Sequence, residues 1–245
     1  MTVSQRFRTF IKKRSFYSAP FYQRYPHNGA VSIFAVNSKA YVDPEARWFY
    51  NAVGKAAHST IVANLAKMKL GQAIGARTAK DQTFLSPVNL SAGEMSDFPN
   101  YFKFTFVRNP YSRILSAYLD KIVRGKMSPR GLNIPKSGNP PGFGEFCAYL
   151  DNGCLCDHYH WAPQTKLLLI PLDEFDLIGR TENFDGHFGV VRRRILGMES
   201  VFDHVNHDAH RTDANSRIER FYDAESREIV ARLYKDDFEG LGYHA

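Results

Sequence analysis

Residues 101–118 read YFKFTFVRNPYSRILSAY, and the change of period inside this stretch decides the fold. Phe102, Phe104 and Phe106 alternate with Lys103 and Thr105, the period of two that gives a strand two distinct faces. Asn109-Pro110 then supplies an N-cap and a first helical residue, and a helix is predicted through about Ile122. Upstream, Arg47 to Val53 (RWFYNAV) reads as a short buried strand and Ser59 to Met68 as a helix. Downstream, Leu167 to Ile170 and Asp176 to Gly179 read as strands. Phe184, Phe188, Val191 and Ile195 mark a helix, and Ile229, Val230, Leu233 and Tyr234 an amphipathic one. Strands alternating with helices predict an α/β fold with a central parallel sheet flanked by helices.

The rest of the chain fits around that centre. Phe143, Phe146, Cys147 and Leu150 have helical spacing, and the Pro- and Gly-rich run from Ser128 to Gly144 reads as a loop. Residues 1–45, rich in aromatics, Pro and Asn without periodicity, read as an irregular arm, and 46–245 as a single domain. A chain of 245 residues with 44% hydrophobic side chains has ample apolar material for one such core.

No apolar stretch approaches the roughly 18 residues that span a bilayer. The basic N-terminus, with Lys12-Lys13-Arg14, is followed by no apolar signal region, so a cytoplasmic chain is expected. The net charge of +7 favours anionic partners. Lys12-Lys13-Arg14 and Arg192-Arg193-Arg194 read as solvated faces. No helix-turn-helix, RNA-recognition or zinc-finger pattern points to nucleic acid. Cys147, Cys154 and Cys156 lie within ten residues of one another, which is no disulfide framework and suits a reducing compartment.

Two strand–loop–helix turns carry the chemistry. The first is Val53-Gly54-Lys55-Ala56-Ala57-His58-Ser59-Thr60. Such a turn aims backbone N–H groups and a helix N-terminus at one point, which suits a phosphate or sulfate. Lys55 adds a positive charge, and Ser59 and Thr60 add hydroxyls that can also cap the helix. It is not a Walker A loop: Phe49 stands where a Gly is needed, and Ala56 replaces the Ser or Thr that would hold Mg²⁺. The lysine without the magnesium ligand suits a less highly charged group such as sulfuryl. On this stretch alone, a surface lysine before an ordinary capped helix is the favoured reading.

The second turn follows the Phe-rich strand. Arg108 sits at its carboxyl end, where ligands gather in open α/β sheets. Arg108 can fork two oxygens of a phosphate while Ser116, about two turns into the helix, donates a hydroxyl bond. Arg113 reads as either a structural pairing or a ligand contact.

Together these stretches resemble the carbohydrate sulfotransferases that include the chondroitin/dermatan 4-O- and heparan/uronyl 2-O-sulfotransferases. Gly54 to Thr60 takes the place of that family's PK-x-x-x-[ST]-[ST] loop, with Gly54 in place of the proline. Arg108 to Tyr118 matches R-[DHN]-P-[FIY]-x-R-[LI]-x-S-x-[YF] at every named position. His160-Trp161, Gly179-Arg180-Thr181-Glu182 and Tyr234 to Tyr243 resemble three further segments in the same order. The resemblance implies a P-loop-like three-layer fold and 3'-phosphoadenosine-5'-phosphosulfate (PAPS) as donor, with no metal required. It implies that Lys55, Ala56, Ala57, His58, Ser59 and Thr60 hold the 5'-phosphosulfate, that Arg108 and Ser116 hold the 3'-phosphate, and that Lys55 is catalytic. The acceptor is then a hydroxyl; the net charge and the Pro-rich loop lean towards an anionic glycan, with a lipid, a small metabolite and a protein tyrosine as the alternatives. The family's Golgi members carry a membrane anchor and paired cysteines, which this sequence lacks, pointing to a soluble bacterial-type enzyme.

Such a reaction needs a base, and the heparan enzymes' histidine has no counterpart between Lys69 and Tyr101. The candidates are His160, in the His-Trp segment, then His158, His58 and Glu182. Cys154-x-Cys156-x-His158-x-His160 suggests zinc by residue type, but its spacing is tighter than zinc motifs use. His204, His207 and His210 read as a polar loop. The alternatives to a sulfotransferase are a nucleotide-dependent kinase and a basic polyanion-binding module without catalysis.

Overall fold

The computed structural model describes residues 14–134, 138–197 and 212–245. His204, His207 and His210, and the Lys12-Lys13 pair, lie outside them. Among the described residues, short helices α1 (Pro20–Arg24) and α2 (Ile33–Asn37) lead into strand β1 (Ala40–Asp43) and strand β2 (Trp48–Asn51). Helices α3 (His58–Leu70), α4 (Ala76–Gln82) and α5 (Ala92–Asp97) precede strand β3 (Phe102–Val107). Helix α6 (Pro110–Tyr118) runs on into a π turn, Leu119–Val123, and is followed by α7 (Phe143–Tyr149) and α8 (Gln164–Leu167). Strand β4 (Leu177–Arg180) then leads to α9 (Phe184–Leu196), α10 (Ala214–Phe221), α11 (Ala224–Leu233) and α12 (Lys235–Gly240).

The sheet has the order β1-β2-β3-β4. β2, β3 and β4 run parallel, with Tyr50 beside Phe104 and Thr105 beside Ile178, and β1 closes one edge antiparallel. The α/β class with a mostly parallel, helix-flanked sheet is as expected. Phe102, Phe104 and Phe106 share one face with Trp48 and Tyr50, under Ile61, Val62 and Leu65 of α3 and Phe188 and Val191 of α9. Phe49 and Val42 face the other side, against Phe21, Ile33, Phe98 and Leu167. Each large apolar side chain buried this way contributes about 2 kcal/mol of transfer free energy. A third cluster joins Ile114, Leu115 and Tyr118 of α6 to Phe146, Trp161, Val230 and Tyr234. No helix among the described residues is long and apolar enough to cross a membrane.

Three local readings are corrected. Leu167 to Ile170 is not a strand: it leaves the short helix α8 and continues without a sheet partner. The Asn51 side chain takes over the ladder's task, accepting from Leu169 N at 2.7 Å and donating to Leu167 O at 3.3 Å. Its apolar run reflects burial alone. The stretch 1–45 is not irregular throughout, since α1, α2 and β1 lie in it and Phe21, Ile33 and Val42 are core residues. Five-residue helices are too short to imprint a period. Finally, Ser59 and Thr60 do not cap α3, which begins at His58 after Ala57 without a side-chain cap.

Candidate active site

β2 and β3 are adjacent and parallel, so the turns that follow them open side by side. With the end of β4 they frame a cavity of about 630 Å³. Lys55, Ala57, His58, Ser59 and Thr60 line it from the first turn, and Arg108 and Ser116 from the second. Ala56 is wholly buried beneath the loop. Lys55 and Ala57 have positive φ, 69° and 56°, in a region that side chains other than glycine's rarely occupy. Strain of this kind persists only where the surroundings enforce it, and it clusters at functional sites.

The Arg108 side is held by neighbours. The Gln164 side chain clamps the Arg108 backbone twice, accepting from its N at 2.9 Å and donating to its O at 2.8 Å. Asp237 in turn accepts from Gln164 N at 2.7 Å. The guanidinium donates from Nε to Ser112 Oγ at 2.9 Å and from Nη2 to Asn215 Oδ1 at 2.6 Å. Ser116 Oγ lies 2.9 Å from Thr212 Oγ1. Asn109 caps α6, its Oδ1 accepting from Tyr111 N at 3.0 Å. Arg113 does not reach the cavity. It is fully buried and donates from Nε to Gly54 O at 2.9 Å and from Nη2 to Tyr159 O at 3.4 Å.

The four candidate bases separate. His160 lines the cavity, and its buried Nδ1 has no hydrogen-bond partner. Burial, followed by the charges of Lys121, His158, Lys55 and Arg113, holds its pKa far below the usual histidine value, so the ring is neutral. His158 is turned aside, its Nδ1 accepting from His160 N at 3.2 Å. The His58 Nε2 is 2.7 Å from Tyr41 OH, and burial with Lys80 and Lys39 keeps that ring neutral. Glu182 is a bracket: it accepts from Asn109 N at 2.7 Å and from Tyr243 OH at 3.1 Å. Among the described residues no His, Cys, Asp or Glu cluster is arranged to hold a metal.

Folding also brings in residues that no motif pointed to. Lys39, Lys80 and Lys121 line the cavity, as do Asp120, Thr181, Thr212 and Asn215. Lys80 Nζ donates to Ser59 Oγ at 2.7 Å, and burial, then Lys39, draws its pKa down to about 8. Lys39 lies over the Tyr159 ring at 5.3 Å. Lys55 Nζ donates to Asp120 Oδ2 at 2.9 Å. Only the excess of basic residues hinted at these lysines. A floor of cations, backbone amides and hydroxyls at the carboxyl end of a parallel sheet is suited to a compact polyanion.

A family model described as "Sulfotransferase family" matches residues 38–244, spanning both turns and the C-terminal segment. The chain belongs to the sulfotransferase family. It is also similar to carbohydrate sulfotransferase 14 of Danio rerio, with 32% identity over 117 residues. That match covers 42% of this chain and 32% of the relative, so the chain spans about a third of that protein's length. No solved structure matches significantly. Within this sulfotransferase Gly54 has a clear local reason: a Cβ there would stand 3.2 Å from His160 Nδ1 and from the Tyr159 ring. The small residue lets the histidine segment close over the lysine loop.

Proposed function

We propose that this sulfotransferase transfers a sulfuryl group from PAPS to a hydroxyl of an anionic glycan. The observation that carries the reading is the placement of Lys55 and Arg108 on adjacent turns of one cavity, with Ser116 a further arm on the second. A donor with phosphates at both ends of its ribose needs two such cationic points. Arg108 and Ser116 would take the 3'-phosphate, which orients the nucleotide and selects it from others. Lys55, Ser59, Thr60 and the loop amides would take the 5'-phosphosulfate.

In the reaction the acceptor oxygen attacks sulfur in line with the leaving phosphate. The new S–O bond forms as the old one breaks, and the bridging oxygen stays on the bisphosphate. Lys55 stabilises the charge that develops there. The acceptor's proton goes to a base, and His160 is the residue we put in that role, because it lines the cavity with an unpartnered nitrogen. Burial depresses its basicity most, and the bound donor's negative charge offsets the part that comes from the surrounding lysines and arginine.

The similarity to a carbohydrate sulfotransferase supports a glycan acceptor. Lys39, Lys80 and Lys121 support an acidic one. A cytoplasmic setting is part of the proposal, in keeping with free Cys147, Cys154 and Cys156.

Thermal unfolding with 3'-phosphoadenosine-5'-phosphate (PAP), against ATP with Mg²⁺, tests the donor. At a 100-fold excess over Kd a specific ligand adds about 2.7 kcal/mol, a shift of roughly 5–10 °C for a chain of this size. A rise with PAP that Arg108→Ala abolishes is the expected result. A larger rise with ATP and Mg²⁺ would favour a kinase. Turnover unchanged in Lys55→Ala would leave only a polyanion-binding module.

A further inference from the structure

The lysine of the proposed reaction is already paired. Lys55 and Asp120 meet at 2.9 Å with side chains 8% and 2% exposed, so the pair is almost out of water. Asp120 stands in the π turn that extends α6, four residues after Ser116. Such turns re-aim side chains and recur at functional sites. Three further cations surround the same carboxylate: Lys126 at 2.6 Å, Lys121 at 3.1 Å and Arg124 at 3.7 Å. An isolated buried pair is hard to open, because releasing one partner strands the other's charge. Here the carboxylate keeps Lys121, Lys126 and Arg124 when Lys55 departs.

We propose that Asp120 is the exchangeable counterion of Lys55, holding the ammonium charged in the cavity until the donor's phosphosulfate oxygens take it over. The inference rests on the donor reading above. Asp120 touches no reacting atom and is a positioning residue. The groups facing Lys55 are Asp120 and Lys121 from the π turn, Arg108 from the β3–α6 turn and His160 from the segment before α8. Burial draws the Lys55 pKa down to about 8, while the hydrogen bond and charge of Asp120 hold it up. Without Asp120, among the described residues, cations and the neutral His160 face the ammonium, which then loses its proton at lower pH.

The test compares the full chain with Asp120→Asn and Lys126→Ala, measuring PAP affinity and turnover between about pH 6 and pH 9. At about pH 6, Asp120→Asn should bind PAP at least as tightly as the unaltered enzyme, because the competing carboxylate is gone. By about pH 9, above both pKa values, its relative kcat/KM should fall about tenfold, the weight of one pKa unit. Lys126, half-exposed and outside the cavity lining, is the safer variant for folding. Its loss ties Asp120 more closely to Lys55, so Lys126→Ala should weaken PAP binding severalfold. A loss in Asp120→Asn that is the same at every pH, or PAP binding abolished at about pH 6, would overturn the proposal. So would unchanged PAP affinity in Lys126→Ala, which decides the matter alone if the asparagine variant does not fold. Failure of PAP to bind the unaltered enzyme would instead remove the donor reading, and the inference with it.

Discussion

Arg113 Nε donates to the carbonyl of Gly54 at 2.9 Å, so the second arginine of the Arg108 segment holds the loop that presents Lys55. Its Nη2 reaches Tyr159 O at 3.4 Å, beside His160. One buried guanidinium thus ties the lysine turn, helix α6 and the histidine segment together. Planar, multidonor geometry makes arginine suited to this, where a lysine would offer one point charge.

Replacing Arg113 by Met should therefore loosen both loops without touching the cavity. Bonds from a charged donor to buried carbonyls are worth about 1.5–3 kcal/mol each. Part of that is offset by no longer burying the charge. We expect a loss of about 2–4 kcal/mol, seen in calorimetry as a drop of roughly 5–10 °C, with PAP stabilisation reduced as well. An unchanged unfolding midpoint would mean the loops hold without it.

The pH dependence of kcat/KM, which reports the groups of the free enzyme, should be one-sided. Lys55 acts as a cation, and burial has lowered its pKa from 10.5 to about 8, so activity falls as pH rises through about 8. His160 is held neutral well below its ordinary range, so no limb is expected near 6.5 on the acid side. Lys80 also titrates at about 8, and Lys55→Arg separates the two. Residual turnover in the arginine variant should lose the limb at 8 if Lys55 causes it.

Glu182 should behave as a bracket. Glu182→Gln keeps a side-chain oxygen to accept from Asn109 N, so turnover should fall less than about tenfold. Removing a general base costs about 10²–10⁴-fold. A loss in that range, with the fold intact, would give Glu182 the proton-accepting role instead.

The acceptor should be sensed by Lys39. Lys39 lines the cavity, and among the described residues no carboxylate forms an ion pair with it, so its ammonium can meet an acceptor's anion. Lys39→Ala should raise KM for a glucuronate-bearing glycan severalfold while leaving PAP affinity and a neutral acceptor nearly unchanged. Equal effects on both acceptors would remove the acidic-glycan preference.

Residues 101–118 carried the fold because alternation, a capping Asn and an N1 proline are local properties, each decided within a few residues. β3, α6 and the place of Arg108 were legible for that reason, and so was the lysine turn. Leu167 to Ile170 misled because burial alone makes an apolar run, and it was the distant Asn51 that satisfied its backbone. β1 escaped because four residues buried on both faces show no alternation.

What only the tertiary structure decided is the set of charges around Lys55. Asp120 lies 65 residues away in sequence, and Lys39, Lys80 and His160 arrive on three other segments. They meet because β2 and β3 are parallel neighbours whose carboxyl ends open on one side. A residue's type states which charge it carries. Which charges then share a dry cavity, and so which pKa values move, depends on long-range packing that no local pattern encodes.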